Sequence, residues 1–322
     1  MTTTTNQRRR HPVPGSAVAA AGLALGLGLT GCTTGAHPNA AGTTPTTPTP
    51  ASISASAPAR GTTPALIASA PVTLSGGEID MVVAGRHFRA RCDGTGPAII
   101  VVADYGRSMD DAGPALHHVV PHAQACLYDR LGVGRSDAAP HLQTFASQAD
   151  DLEGVITGLG LTRPVVVIGD SLGAPIALTW ASRHVKDARA VVLLMPPPPG
   201  FMGPHGALNR LMPPKNPGDL ELSRLWTEID HYNNPALNRE SLDPRSWDEY
   251  LRLPPTSTPL YDLVAPTLSW LASIDAKKVN DAWQQGQSRV LRLSSSAQLI
   301  RVATETDWPA VLQRTLERAV QS

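Results

Sequence analysis

The sequence has no surplus of charge. Its 322 residues carry 27 Lys and Arg against 27 Asp and Glu, so nothing in the charge balance suggests nucleic acid and none is expected as a partner. Aromatic residues make up only 4% of the chain. Cysteine occurs three times, at Cys32, Cys92 and Cys126, and no histidine occurs after His231. Long apolar runs are scarce. The longest low-polarity stretch, Ser16 to Thr30, is too short to span a bilayer comfortably. Proline (30) and glycine (27) are abundant instead, and part of that proline lies in an N-terminal stretch not expected to fold.

Arg8-Arg9-Arg10 followed by the Ala/Leu/Gly run reads as the n- and h-regions of a secretory signal. It ends in Leu29-Thr30-Gly31-Cys32, which resembles the bacterial lipobox. That resemblance implies removal of residues 1–31 and acylation of Cys32, so that buried CH₂ groups hold the protein on the extracytoplasmic face of a membrane without crossing it. The alternatives are a freely secreted protein and an uncleaved anchor. Residues 32–70 are Thr, Pro, Ala, Ser and Gly with almost no large apolar side chain. They cannot bury enough surface to offset chain entropy and read as a disordered tether. With Cys32 acylated, the even pair Cys92 and Cys126 suggests a disulfide in an exported domain, against the alternative of two buried thiols.

The folded domain is expected over 71–322. Its centre is Val165-Val166-Val167-Ile168-Gly169-Asp170-Ser171-Leu172-Gly173. Four β-branched residues in a row predict a buried strand. Gly-Asp-Ser-Leu-Gly fits G-x-S-x-G, and the helix-like Ala174–Ser182 segment follows. This is the strand–turn–helix context of a nucleophile elbow, in which Ser171 stands above the sheet and the N–H of Leu172 faces a developing oxyanion. Around it the periodicity predicts a hairpin (Ile79–Val83, His87–Cys92) and strands at Ala98–Ala103, Cys126–Arg130 and Ala188–Leu194. Strands seven and eight fall at Ala265–Ala272 and Gln298–Val302. Helices are predicted at Pro114–His122, Thr144–Leu159 (with Asp150 and Asp151 on its wet face), Lys277–Leu293 and Trp308–Val320. Strands alternating with helices after an opening hairpin indicate an α/β fold with a mostly parallel sheet.

Val101–Gly106, Tyr128–Asp137, Gly169–Gly173 and Val191–Pro196 together resemble the α/β-hydrolase superfamily, in an exported bacterial branch. The resemblance covers residues 75–200 well and the last third loosely. It implies an eight-stranded, mainly parallel sheet with helices on both faces, a lid inserted after the sixth strand (about 197–262), and a Ser-acid-His triad that needs neither cofactor nor metal. It makes Ser171 the nucleophile, Leu172 and Arg107 the oxyanion N–H donors, and Asp275 the acid or, equally, a helix N-cap. The family's epoxide- and haloalkane-cleaving members would carry Asp, not Ser, at the elbow tip. Departures are plain. Asp104-Tyr105-Gly106 stands where His-Gly is usual, and Met195 where an acid often follows the sixth strand. Ala303–Pro309 contains no histidine. His205 and His231, in the lid, are surrogate candidates for the base, as are Glu305 and Asp307. Asp170 reads as structural. Met202, Leu211, Met212, Leu225 and Trp226 line an acyl pocket or pack the lid. Two functions follow. One is a serine hydrolase of small esters or related acyl compounds at the cell envelope. The other is a non-catalytic descendant that binds a lipid, peptide or protein there.

Overall fold

The computed structural model describes residues 77–116, 122–211, 232–236, 238–267 and 276–322. The signal and tether segments with Cys32 lie outside the described residues. So do His117, His118, His231, Asp275, Met212, Leu225, Trp226 and most of the helix-like segment Leu220–Tyr232.

A single eight-stranded sheet forms the centre, in the order β1-β2-β4-β3-β5-β6-β7-β8. The strands are β1 (Glu78–Val83), β2 (Arg86–Asp93), β3 (Ala98–Val102), β4 (Gln124–Tyr128), β5 (Val165–Asp170), β6 (Ala188–Leu194), β7 (Leu260–Val264) and β8 (Ala297–Arg301). Only the β1/β2 and β2/β4 pairs are antiparallel. From β4 through β8 every pairing is parallel. Parallel strands buried on both faces must be apolar throughout, and β3 and β7 are buried at every position.

Side-chain alternation splits the core into two layers. Ile100, Val102, Val165 and Val167 face one way, onto α2 (Phe145–Gly158), α3 (Gly173–Arg183) and, beyond them, a helix over Ala276–Leu291. Ile99, Val101, Val166 and Ile168 face the other way, onto α1 (Met109–Leu116) and the C-terminal helix Trp308–Gln321. The α2 helix starts at a capping box, Thr144 accepting from the Ser147 N–H while Ser147 accepts from the Thr144 N–H. Asp150 is on its wet face as expected, but Asp151 is buried and bonded to Arg86 at 2.6 Å. Burial raises its carboxyl to about 6 against the pull of Arg86. The hairpin edge covers a helix face that the sequence period alone leaves open.

The seventh strand is a correction. It runs Leu260–Val264, not Ala265–Ala272, so the insertion after β6 spans 195–259 and stops before 262. Leu-Tyr-Asp-Leu-Val carries a charged residue at its middle and follows Pro259, whereas Ala265–Ala272 carries no charge; pattern therefore favoured the wrong stretch. Within the insertion are the short helices α4 (Ala207–Leu211) and α5 (Ser246–Leu251). Continuing in chain order, α6 is Ala276–Leu291 and α7 is Trp308–Gln321. Cys92 and Cys126 lie opposite each other in β2 and β4 and are joined in a disulfide. Among the described residues no helix is long and apolar enough to cross a membrane.

Candidate active site

The chain turns from β5 into α3 within three residues, and sterics dictate which ones. A Cβ on Gly169 would lie 2.6 Å from the Ala174 Cα, and one on Gly173 would lie 2.1 Å from the Val102 carbonyl oxygen. Only glycine lets helix and strand approach so closely. Ser171, between them, takes φ +47°, a left-handed conformation costly for a residue with a Cβ. Its N–H is anchored on the Leu194 carbonyl at 2.8 Å, and its carbonyl accepts from Ala174 N–H at 3.0 Å. The serine thus stands at the C-terminal ends of β5 and β3, where the crossover direction reverses and a crevice opens.

The turn after β3 reaches this point from the other side. Asp104 Oδ1 accepts the Leu172 N–H at 3.1 Å and the Tyr105 N–H at 2.8 Å. The Ser171 hydroxyl faces the same carboxyl and favours its charged form. The donor assigned to the oxyanion therefore already faces an anion of the protein's own. Burial pushes the Asp104 carboxyl above the usual range, while Leu172, Tyr105, Ser171 and the Arg107 charge oppose that rise. Asp170, the last residue of β5, is pushed up to about 7, first by burial and then by the charge of Asp104. The sequence reading of Asp170 as structural overlooked this: two carboxyls flank the serine and share one electrostatic field.

Arg107 donates its N–H to the carbonyl of Asp104 at 3.1 Å, closing its own turn. The neighbouring Gly106 N–H goes to Glu240 Oε1 at 2.5 Å. Beneath the turn, Arg130 forms a fork to Glu240, Nε to Oε2 and a terminal nitrogen to Oε1, both at 2.7 Å. Its remaining donors hold the carbonyls of Ala103 (2.6 Å) and Asp104 (3.0 Å). Tyr105 reaches the same insertion, donating to Asn238 at 3.0 Å. Residues 238–240 thus clamp the turn that carries Asp104. Neither Asp104 nor Glu240 entered the site from sequence, because both act across long separations. The one available signal was Asp104 standing where the resemblance expects histidine.

The other candidates go elsewhere. His205 is 81% exposed and sits 3.5 Å from Asp248. Asp307 accepts the Thr304 N–H and hydroxyl at 3.0 and 2.7 Å, folding the post-β8 turn onto itself. Met202, within the insertion, is buried in the core layer on the α2 and α3 side of the sheet, and Leu211 packs against that layer. Met195, at φ +51°, ends β6 where an acid was sought. Among the described residues no cluster of three His, Cys, Asp or Glu side chains is placed to hold a metal.

Residues 107–296, more than half of the chain, match the family model described as alpha/beta hydrolase fold. The chain belongs to that family. Two proteins of Bacillus subtilis (strain 168) are similar to part of it. The uncharacterized hydrolase YraK is 26% identical over 123 residues, which is 38% of this chain and 44% of that protein. The uncharacterized protein YqjL is 28% identical over 110 residues, 34% of this chain and again 44% of the relative. The chain thus spans less than half the length of these curated relatives. Among solved structures, an alpha/beta hydrolase fold protein from Burkholderia ambifaria aligns with TM-score 0.53 at 15% identity, covering 77% of this chain and 98% of that one. A thermophilic esterase from Thermogutta terrifontis aligns at 0.52 and 18%, covering 77% and 100%. The haloalkane dehalogenase DatA of Agrobacterium tumefaciens C58 aligns at 0.51 and 17%, covering 76% and 96%. At these identities the likeness is one of fold.

Proposed function

We propose that this chain is a serine hydrolase of carboxylic esters or related acyl compounds, held at the extracytoplasmic face of a membrane by a lipid on Cys32. The observation that carries the reading is the elbow itself. Ser171 is kept at φ +47° between two glycines whose replacement would strike backbone atoms, at the mouth of the parallel strands. An ordinary strand-to-helix turn has no need of that strain, whereas a nucleophile that must stand clear of the sheet does. Ser171 attacks the acyl carbon and the Leu172 N–H, at the start of α3, faces the resulting oxyanion. Arg107 receives no role in this scheme, since its N–H closes the turn. Asp275 as triad acid presupposes a histidine for it to orient, and the sequence after His231 has none.

A second reading is favoured by one specific contact. The Leu172 N–H is occupied by the Asp104 carboxylate, as in a site that has ceased to bind oxyanions. On this reading the fold binds a lipid, peptide or protein without turning it over. Treating the full chain and Ser171→Ala with a fluorophosphonate serine probe, read by intact mass, separates the two. Labelling of the wild type that disappears in the variant supports the hydrolase. An unlabelled, folded wild type supports the binding protein.

A further inference from the structure

We propose that Asp104 is the catalytic base of this site, taking the Ser171 hydroxyl proton directly, and that the substrates are acyl compounds with good leaving groups, such as thioesters and aryl or enol esters. This rests on the serine hydrolase reading and names the group which that reading lacks.

The geometry places two N–H groups on one carboxyl oxygen, Leu172 at 3.1 Å and Tyr105 at 2.8 Å, and so holds Asp104 beside the Ser171 hydroxyl, which favours its charged form. A general base must come within hydrogen-bond reach of the proton it removes, and Asp104, bonded to the N–H of the residue that follows Ser171, is the carboxyl placed to do so. An aspartate of ordinary acidity is too weak a base toward a hydroxyl. Here burial strengthens it, and the carboxyl of Asp170, itself raised by the Asp104 charge, shares the same field. The charged groups that face the pair are Arg107 on the turn itself and Arg130 beneath, the latter already neutralised by Glu240.

The same contact explains why the oxyanion donor is occupied at rest. As the Ser171 oxygen bonds to the acyl carbon, its O–H bond breaks and the proton passes to Asp104. The carbonyl π pair moves onto the acyl oxygen. The neutral carboxyl then grips the Leu172 N–H more weakly than the carboxylate did, and the new oxyanion takes that N–H. Collapse breaks the bond to the leaving group, which departs with its electron pair; Asp104 passes its proton to that group or to solvent and is a carboxylate again. Water repeats the sequence: it gives a proton to Asp104, attacks the acyl carbon, and releases a carboxylic acid while Ser171 regains its hydrogen. A carboxyl base supplies less driving force than an imidazole, so the leaving group must be stable as an anion. That restricts the substrate class and disfavours amides and simple alkyl esters.

The test uses p-nitrophenyl acetate with the full chain, following p-nitrophenol release and the acetyl adduct on Ser171 between pH 4.5 and 9. Wild type should show a rate that rises with one titration and then levels. Asp104→Asn, nearly isosteric, should lower the plateau about 10²–10⁴-fold and abolish the titration, leaving a rise with hydroxide alone. Asp104→Glu should recover part of the rate. Asp170→Asn should keep the titration but move its midpoint to lower pH, because a facing negative charge is gone. A folded Asp104→Asn protein with the wild-type rate and profile, or a faster one, overturns the inference and leaves the hydrolase reading standing. If Asp104→Asn does not fold, an unmoved midpoint in Asp170→Asn overturns it instead. A wild type that forms no Ser171 adduct at any pH defeats the hydrolase reading and the inference with it.

Discussion

Replacing Asp262 by Asn should change how stability depends on pH, and the structure sets the size of the effect. Asp262 sits mid-strand in β7, paired in register with Leu193 and Leu299 and fully shielded from solvent. Neither carboxyl oxygen has a hydrogen-bond partner. Burial pushes the group up to about 8, and Arg301 opposes this only partly. In the unfolded chain the same carboxyl titrates near its ordinary 3.8. Between these values the folded protein holds a proton that the unfolded chain releases, so stability is highest at acid pH and falls as pH rises toward 8. The loss runs at about 1.4 kcal/mol per pH unit and totals roughly 4–6 kcal/mol as an upper bound. Asn cannot titrate. Its own unpartnered amide costs about 1–3 kcal/mol at every pH, so it should be the less stable protein at pH 4.5 and the more stable at pH 8.5. Urea unfolding of both proteins across that range measures the difference, in which the shared contributions of Asp104, Asp170 and Asp151 cancel. Parallel stability curves for the two proteins would refute the claim that Asp262 is buried without a partner.

Three further outcomes follow from the described contacts. Replacing Cys92 and Cys126 together by Ala opens a link across 34 positions and should cost about 3–4 kcal/mol, measured by urea unfolding against wild type with and without reductant. Glu240→Gln leaves the buried Arg130 without its counter-charge; it should cost about 3–5 kcal/mol in thermal or urea unfolding, and it should loosen the Asp104 turn, seen as faster amide exchange at Gly106. Gly173→Ala drives a methyl group into the Val102 carbonyl; it should abolish Ser171 labelling even where circular dichroism still shows a folded protein.

The elbow was legible because local rules and the global fold agree there. Four β-branched residues, two glycines and a following helix can hardly be arranged otherwise, and β6 appears at the very limits read from the sequence, Ala188–Leu194. β7 was misplaced because Asp262 breaks its apolar pattern while the strand remains buried. The disulfide followed from counting cysteines and is present. The elbow serine and its neighbouring N–H were visible in five residues. The groups acting on them were not: Asp104 meets Leu172 across 68 positions, and Glu240 meets Arg130 across 110. Such contacts have no local signature. Sequence reasoning looked for a base in the insertion and the loop after β8, at His205, His231, Glu305 and Asp307, and so passed over a carboxylate standing in the turn where a histidine was expected.

The central claim is that Ser171 is a working nucleophile although no histidine follows His231 in the chain. The most direct measurement mixes the full chain with p-nitrophenyl acetate in stoichiometric amounts and reads the protein by peptide mass after a short reaction. The account predicts one acetyl group, on the peptide that contains Ser171, formed together with one equivalent of p-nitrophenol and absent from Ser171→Ala. An acetyl group elsewhere, or equal p-nitrophenol release from the Ser171→Ala protein, would contradict it.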